Sequence, residues 1–294
     1  MTAATVSAAR PTAQRAPSAR LTFGGVLKSE WIKLWTLRST VWTLAITVVV
    51  MVGIALMFAA ILNIPDVEAG GGDGSSMSDF FPSATIVTIG YSVGQLAIAV
   101  LGVLAITGEY STGMIRSTFS AVPRRLPAFF AKLAVLFVTS FVVTLLGVGL
   151  SALVTAPLLS NQGMALDLGS SDNVRILIGA ALYVATISAL SLGIGALLRS
   201  TAGAIFTVVG LLMVVPQILS IVAMATGNKV VENIYKFLPG VAGERLLATG
   251  GSIDPMTGAS SSGALEPWVG YGVLAGWTVL VLVVAAVMLK RRDA

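Results

Sequence analysis

Ile115 and Phe119 stand four residues apart with Met114 alongside, in a stretch that reads GEYSTGMIRSTFSAVPRRLPAFFAK from Gly108 to Lys132. That spacing puts the three side chains on one edge of a short helix. Ser111 or Thr112 is placed to cap the helix by accepting from its orphan N–H groups, and Pro123 ends it. Glu109 lies just before this helix, and Arg124 and Arg125 just after it. The chemistry on offer is docking, because an apolar edge outside the lipid needs something to pack against. A plain connector lying on the membrane surface is the competing reading.

Other chemistries are excluded by what the chain lacks. It has no histidine and no cysteine. That removes structural zinc, disulfides, thiol nucleophiles, histidine-ligated haem and Ser-His triads together. It has no G-x-x-x-x-G-K-[ST] phosphate loop, so it does not hydrolyse ATP by that route. The acids Asp66, Glu68, Asp73 and Asp79 lack calcium-loop spacing. No catalytic residue and no metal site are expected. The apolar runs hold no acid or histidine in their interiors, where a proton-coupled carrier usually places one. Their polar groups are mild, and Gln95 and Gln217 are the candidates for lining a path.

The elements that position these residues are set by composition. The 294 residues are 56% hydrophobic and only 11% charged, where a soluble domain carries about 25% charged residues. The natural solvent for most of the chain is therefore lipid. A hydrocarbon core about 30 Å thick needs roughly 20 apolar residues per helical crossing. Six runs qualify: about Trp42–Leu62, Ala84–Thr107, Ala128–Thr155, Ile176–Leu198, Thr201–Ala225 and Trp268–Leu289. The third is long enough to tilt or protrude. Only Arg199 and Ser200 separate the fourth and fifth, which reads as a tight antiparallel hairpin rather than one buried helix. The runs are continuous, not alternating, so helices and not a β-barrel are expected.

Six crossings put both termini on one side. Fourteen of the 18 Lys and Arg fall on that side and ten of the 13 acids on the other, so both termini are expected in the cytoplasm. This asymmetry accounts for the net charge of +5 without nucleic acid. Residues 1–20 are rich in Ala, Pro, Thr and Arg, lack a signal-peptide apolar core, and read as a disordered cytoplasmic tail. From Phe23 to Arg38, the residues Phe23, Leu27, Trp31, Leu34 and Trp35 recur at helical spacing, with Ser29, Lys33 and Thr36 opposite. Tryptophan, lysine and arginine on such a helix suit the lipid interface. Between the fifth and sixth runs, Val230–Leu238 and Val241–Thr249 read as two short helices broken at Pro239-Gly240. They form either an ordinary surface hairpin or a cap over an exit. Gly90-x-x-x-Gly94 and Ser191-x-x-x-Gly195 have the small-residue spacing of close helix packing, and Pro216 is expected to kink the fifth span.

The string EYSTGMIRSTFSAVPRR resembles the second-to-third connection of ABC-2 type transporter permeases, the membrane subunits of bacterial ATP-binding-cassette exporters. The segment LKSEWIKLWTLRSTVWTL is similar to their N-terminal region, where an interfacial helix with an E-x-x-K pattern precedes the first span; Glu30 and Lys33 fill those positions. The resemblance runs from Leu21 to the C-terminus and is closest to actinobacterial permeases. It implies an all-α fold over residues 21–294, with six spans, a cytoplasmic coupling helix and a helical hairpin outside. It implies a coupling helix docked on a separate ATPase subunit, with Glu109 and Arg116 as polar anchors and Met114, Ile115 and Phe119 as apolar ones. It implies an interfacial helix carrying Leu27, Glu30, Trp31, Lys33 and Trp35 against lipid. It also implies a second permease copy or paralogue, with ATP and Mg on the partner and none on this chain. The location implied is the bacterial plasma membrane. The alternative is an accessory anchor or regulator of an ATPase with no path of its own. A membrane-embedded enzyme is disfavoured, because the spans offer no nucleophile–base pair.

Overall fold

Without water around it, a backbone must satisfy its own N–H and C=O groups, and each of the six apolar runs does so by forming a helix. The structure, a computed structural model, describes residues 22–63, 82–114, 125–249 and 265–291. Six helices there are long and apolar enough to cross a membrane, which is the build of a multi-pass membrane protein. The expected tail at residues 1–20, and Ile115, Arg116 and Phe119 of the expected coupling helix, lie outside the described residues.

The N-terminal helix spans Phe23–Thr36 and opens with the Thr22 side chain accepting from the Gly25 N–H. Leu37 alone, in an extended conformation, separates it from the first span, Arg38–Leu62. The second span is in two pieces, Ser83–Thr88 and Tyr91–Ser111, with a turn at Ile89 and Gly90. A side chain on Gly90 would run into the Met51 backbone of the first span. One turn on, a Cβ at Gly94 would lie 3.0 Å from the Met51 side chain, and one at Gly147 of the third span 3.1 Å from its Sδ. Glycine spacing in the second span therefore seats Met51 and packs helices within the chain.

The third span, Arg125–Asn161, has 37 residues and a length of about 55 Å, well beyond the lipid core. The fourth, Ser171–Leu198, is the hub: 83% of its most apolar window is buried, against 11% for the fifth. Its chain reverses at Arg199, which adopts a left-handed φ of 54°. Ser200 then caps the fifth span by accepting from Gly203, so the two-residue hairpin forms as expected. The fifth span runs Thr201–Val209, a π-helical turn Gly210–Val214, then Val215–Thr226. Pro216 has no N–H to give, and the helix answers with a change of register: the Val215 N–H reaches back to Gly210 O. The sixth span is Pro267–Arg291.

One local expectation is corrected. The hairpin after the fifth span comprises Lys229–Lys236, Pro239–Glu244 and a 3₁₀ turn Arg245–Leu247. The break falls at Phe237 and Leu238, and Pro239 opens the second helix instead of breaking it. Its fixed φ and missing N–H cost nothing at a first helical position. The Ser111 and Thr112 hydroxyls donate back to Gly108 O at the end of the second span; beyond Met114, the helix they were expected to cap lies outside the described residues.

Small residues also bring the second and fourth spans together. A Cβ on Gly102 would sit 2.6 Å from Ser188 O, whereas one on Gly108 would meet nothing within 4 Å. Gly102→Ala is expected to destabilise the bundle by about 1–3 kcal/mol through overpacking, and Gly108→Ala is not. Thermal unfolding of the two variants in detergent checks this; indistinguishable melting would contradict the close packing.

Candidate functional site

The N-terminal helix turns Val26 and Glu30, four residues apart, toward the third span. Val26 packs in one apolar cluster with Ala128 and Ala131. The alanines let the helices lie close. Four residues after Ala128 comes Lys132, so matching helical steps on both elements bring Glu30 and Lys132 together. Lys132 Nζ donates to Glu30 Oε2 at 2.7 Å and to Glu109 Oε1 at 2.9 Å. Lys33 Nζ donates to Glu30 Oε1 at 2.8 Å and to Glu109 Oε1 at 3.1 Å.

The result is a closed ring of alternating charge: Glu30, Lys132, Glu109, Lys33 and back to Glu30. Each ammonium spans both carboxylates, and the four charges cancel. Glu30 is only 4% exposed, and the Lys33 side chain, at 33%, is the most open member. Burial of an unpaired carboxylate would be prohibitive, so the ring is the condition on which these side chains can sit there. It joins three elements: the N-terminal helix, the end of the second span and the start of the third. The last two flank the connection that carries Met114, Ile115 and Phe119. Next to Glu109, the Tyr110 ring lies 5.2 Å below the Arg199 guanidinium of the fourth-to-fifth turn. A further element is thereby tied to the same end of the second span.

The ring fixes the protonation of Glu30 and Lys33. Burial opposes the charge on Glu30, but the Lys132 and Lys33 ammoniums outweigh it and hold the carboxyl below its ordinary 4.5. Burial likewise opposes the charge on Lys33, but Glu30 and Glu109 raise the ammonium above its ordinary 10.5. The Glu30 contribution to stability is complete above pH 4.5 and is lost as pH falls through the lowered value. The Lys33 contribution is complete below pH 10.5 and is lost as pH rises through the raised value. Neither changes near neutrality. The melting difference between the native chain and Glu30→Gln is therefore expected to stay constant from about pH 6 to 9 and to shrink only outside that window, in acid as Glu30 protonates and in alkali as Lys33 deprotonates. A difference that titrates near pH 7 would contradict this assignment.

The other candidates are spread across the molecule. Leu27 is half-buried beside Val26, whereas Trp31 and Trp35 are exposed with ring centroids 5.8 Å apart. The aromatic face of the N-terminal helix thus points away from the bundle. Met114 is exposed. Gln95 is buried, and its Oε1 accepts from the Tyr183 hydroxyl at 2.7 Å. Gln217 is exposed on the fifth span.

Sequence reasoning missed three residues. Lys132, at the start of the third span, bridges two carboxylates. Tyr183, wholly buried, also lies 3.4 Å from Glu244 Oε1 of the hairpin. Arg175 clamps that hairpin, donating to Leu246 O at 2.7 Å and Ala248 O at 3.0 Å. Two lysines and two glutamates near one membrane boundary, in a chain this poor in charge, were the available signal for the ring.

Comparison with known families and with curated proteins finds no match to this chain.

Proposed function

We propose that the chain is the membrane-spanning permease subunit of an ATP-binding-cassette exporter. It moves a hydrophobic or amphipathic compound (a drug, an antibiotic or a lipid-like molecule) outward across the bacterial plasma membrane, with both termini in the cytoplasm. A separate subunit binds and hydrolyses ATP with Mg, and a second permease copy or paralogue completes the pathway.

The observation that carries this reading is the ring of Glu30, Lys33, Glu109 and Lys132. A passive anchor has no need for a neutralised, buried ion network at the base of its coupling connection. A transmitter does. Force delivered to the segment between the second and third spans reaches both flanking helices, and the ring passes it to the N-terminal helix in the lipid interface. Arg199 over Tyr110 passes it to the hairpin of the fourth and fifth spans. Coupling then requires only that nucleotide on the partner favour one packing of these helices over another. In this reading the hairpin, held by Arg175 and Tyr183, caps the outer end.

Affinity purification of the tagged chain from its native membrane tests the proposal. An ATPase subunit of the cassette type is expected in stoichiometric amount. Its absence under mild detergent would contradict the reading.

A further inference from the structure

The hairpin after the fifth span reaches down beside the bundle and brings an acid with it. Gly240 packs against Leu212, about 18 Å along the fifth span from Thr201. Trp277, about 15 Å along the sixth span from Pro267, donates its indole N–H to Phe237 O at 3.1 Å. Glycine permits the approach: a Cβ on Gly243 would lie 2.5 Å from Leu274 Cδ2 and 2.8 Å from the Tyr183 ring. Glu244, the next residue, is half-buried with Oε1 3.4 Å from the Tyr183 hydroxyl. Tyr183 stands about 24 Å from Arg199 at the far end of its span, and Gln95 about 21 Å from Glu109. Both, and Glu244 with them, therefore lie inside a hydrocarbon core about 30 Å thick. The apolar runs hold no acid of their own at this depth, so the hairpin supplies one from the side.

Ionisable groups within a membrane are rare and mark sites of binding or transfer. The neighbours of Glu244 say which. The one hydrogen of the Tyr183 hydroxyl goes to Gln95 Oε1 at 2.7 Å, so at 3.4 Å it holds the carboxylate only weakly. The Tyr91 ring meets the Tyr183 ring edge to face, with centroids 5.6 Å apart. Arg175 is committed elsewhere, to Leu246 O, Ala248 O and Asp172, and Arg245 has its Cβ against Gly270 of the sixth span. Among the described residues no three acids gather, which is too few ligands for a metal ion. A carboxylate beside electron-rich rings, in a medium of low dielectric, is instead the chemistry that recognises an organic cation.

We infer that Glu244, Tyr183, Tyr91 and Gln95 form a site, within a single chain, for a lipophilic organic cation: an ammonium or similar charge on an apolar body. Glu244 supplies the opposing charge and the tyrosine rings take the apolar groups around it. Gln95 is a positioning residue that draws the Tyr183 hydrogen away from the carboxylate. The inference deepens the permease reading by giving the charge of its substrate, and rests on that reading only in calling the bound compound a transported one.

The probe is tetraphenylphosphonium, whose charge is permanent, and its control is tetraphenylborate, of nearly the same shape and opposite charge. The purified full chain is dialysed against each in a neutral detergent, with no ATPase present. Saturable binding of the cation is expected, and binding of the anion at least about tenfold weaker. Glu244→Gln keeps the size of the side chain and an oxygen that accepts from Tyr183. It is expected to melt like the native chain and to bind the cation at least about tenfold more weakly. Tyr91→Leu should weaken binding about threefold. Glu232→Gln, on the exposed part of the same hairpin, should leave it unchanged. Equal affinity of the native chain for cation and anion, or no saturable binding of the cation, overturns the inference, as does native affinity in Glu244→Gln. Should Glu244→Gln melt lower, an azido derivative of the cation is photolysed on the native chain instead. Label on Tyr91, Tyr183 or the hairpin then supports the site, and label confined to other segments overturns it. Failure here is separable from failure of the permease reading: a chain that captures an ATPase but ignores the cation loses this site alone. One that binds the cation but captures no ATPase keeps the site and loses the exporter.

Discussion

Lys132→Met is expected to destabilise the folded chain by about 3–5 kcal/mol, the usual result of removing one partner from a buried ion pair. Glu30 would keep its burial and lose its 2.7 Å partner, leaving Lys33 to neutralise two carboxylates alone. Lys33→Met should cost less, about 1 kcal/mol, because that side chain is one-third exposed and water screens what remains. The double variant Glu30→Gln, Lys132→Met should recover most of the loss, since it strands no charge and leaves Lys33 paired with Glu109. Unfolding measured in detergent for the four proteins gives the ordering directly. Equal effects of Lys132→Met and Lys33→Met would mean that the ring is an ordinary surface network. The double variant also separates two roles. If the ring only holds the fold together, transport survives in this rescued protein; as a transmitter, it should lose transport while still binding the ATPase.

The second large effect lies in the connection between the second and third spans. The double substitution Ile115→Asp, Phe119→Asp is expected to abolish co-purification of the ATPase, a loss beyond hundredfold, while membrane insertion and melting stay unchanged. Two carboxylates on the apolar edge would have to be desolvated for docking, and no compensating cation is specified. Met114→Ala, at the described edge of that segment, should weaken capture modestly. A variant that brings down as much ATPase as the native chain would place the docking surface elsewhere.

Much of the fold could be read from composition, because lipid imposes one local rule. A run of about 20 apolar residues must be helical in hydrocarbon, so the six spans were legible to within a few residues. The hairpin at Arg199-Ser200 was legible for the same reason: the combined run is too long for one crossing. What could not be read depends on neighbours distant in sequence. Gly90 was visible as a packing glycine, but the turn it makes beside Met51 depends on how closely the first span approaches. Pro239 was read as a breaker, although proline is equally at ease opening a helix, and only the chain direction after Leu238 decides between the two. Lys132 sits at a span boundary, where a lysine ordinarily snorkels to water. Its partner Glu30 lies 102 residues away, and no local pattern announces such a pair. The E-x-x-K positions Glu30 and Lys33 and the neighbouring Glu109 were singled out. That their charges meet one another in a ring was not readable.

Transport by purified components in sealed vesicles tests the central claim most directly. The chain is reconstituted with its co-purifying ATPase, and movement of a hydrophobic fluorescent substrate is followed on adding ATP and Mg. Transport is expected only with both proteins and nucleotide present, and not with the ATPase omitted or inactivated. Vesicles holding this chain alone, and moving the same compound against its gradient, would contradict the account.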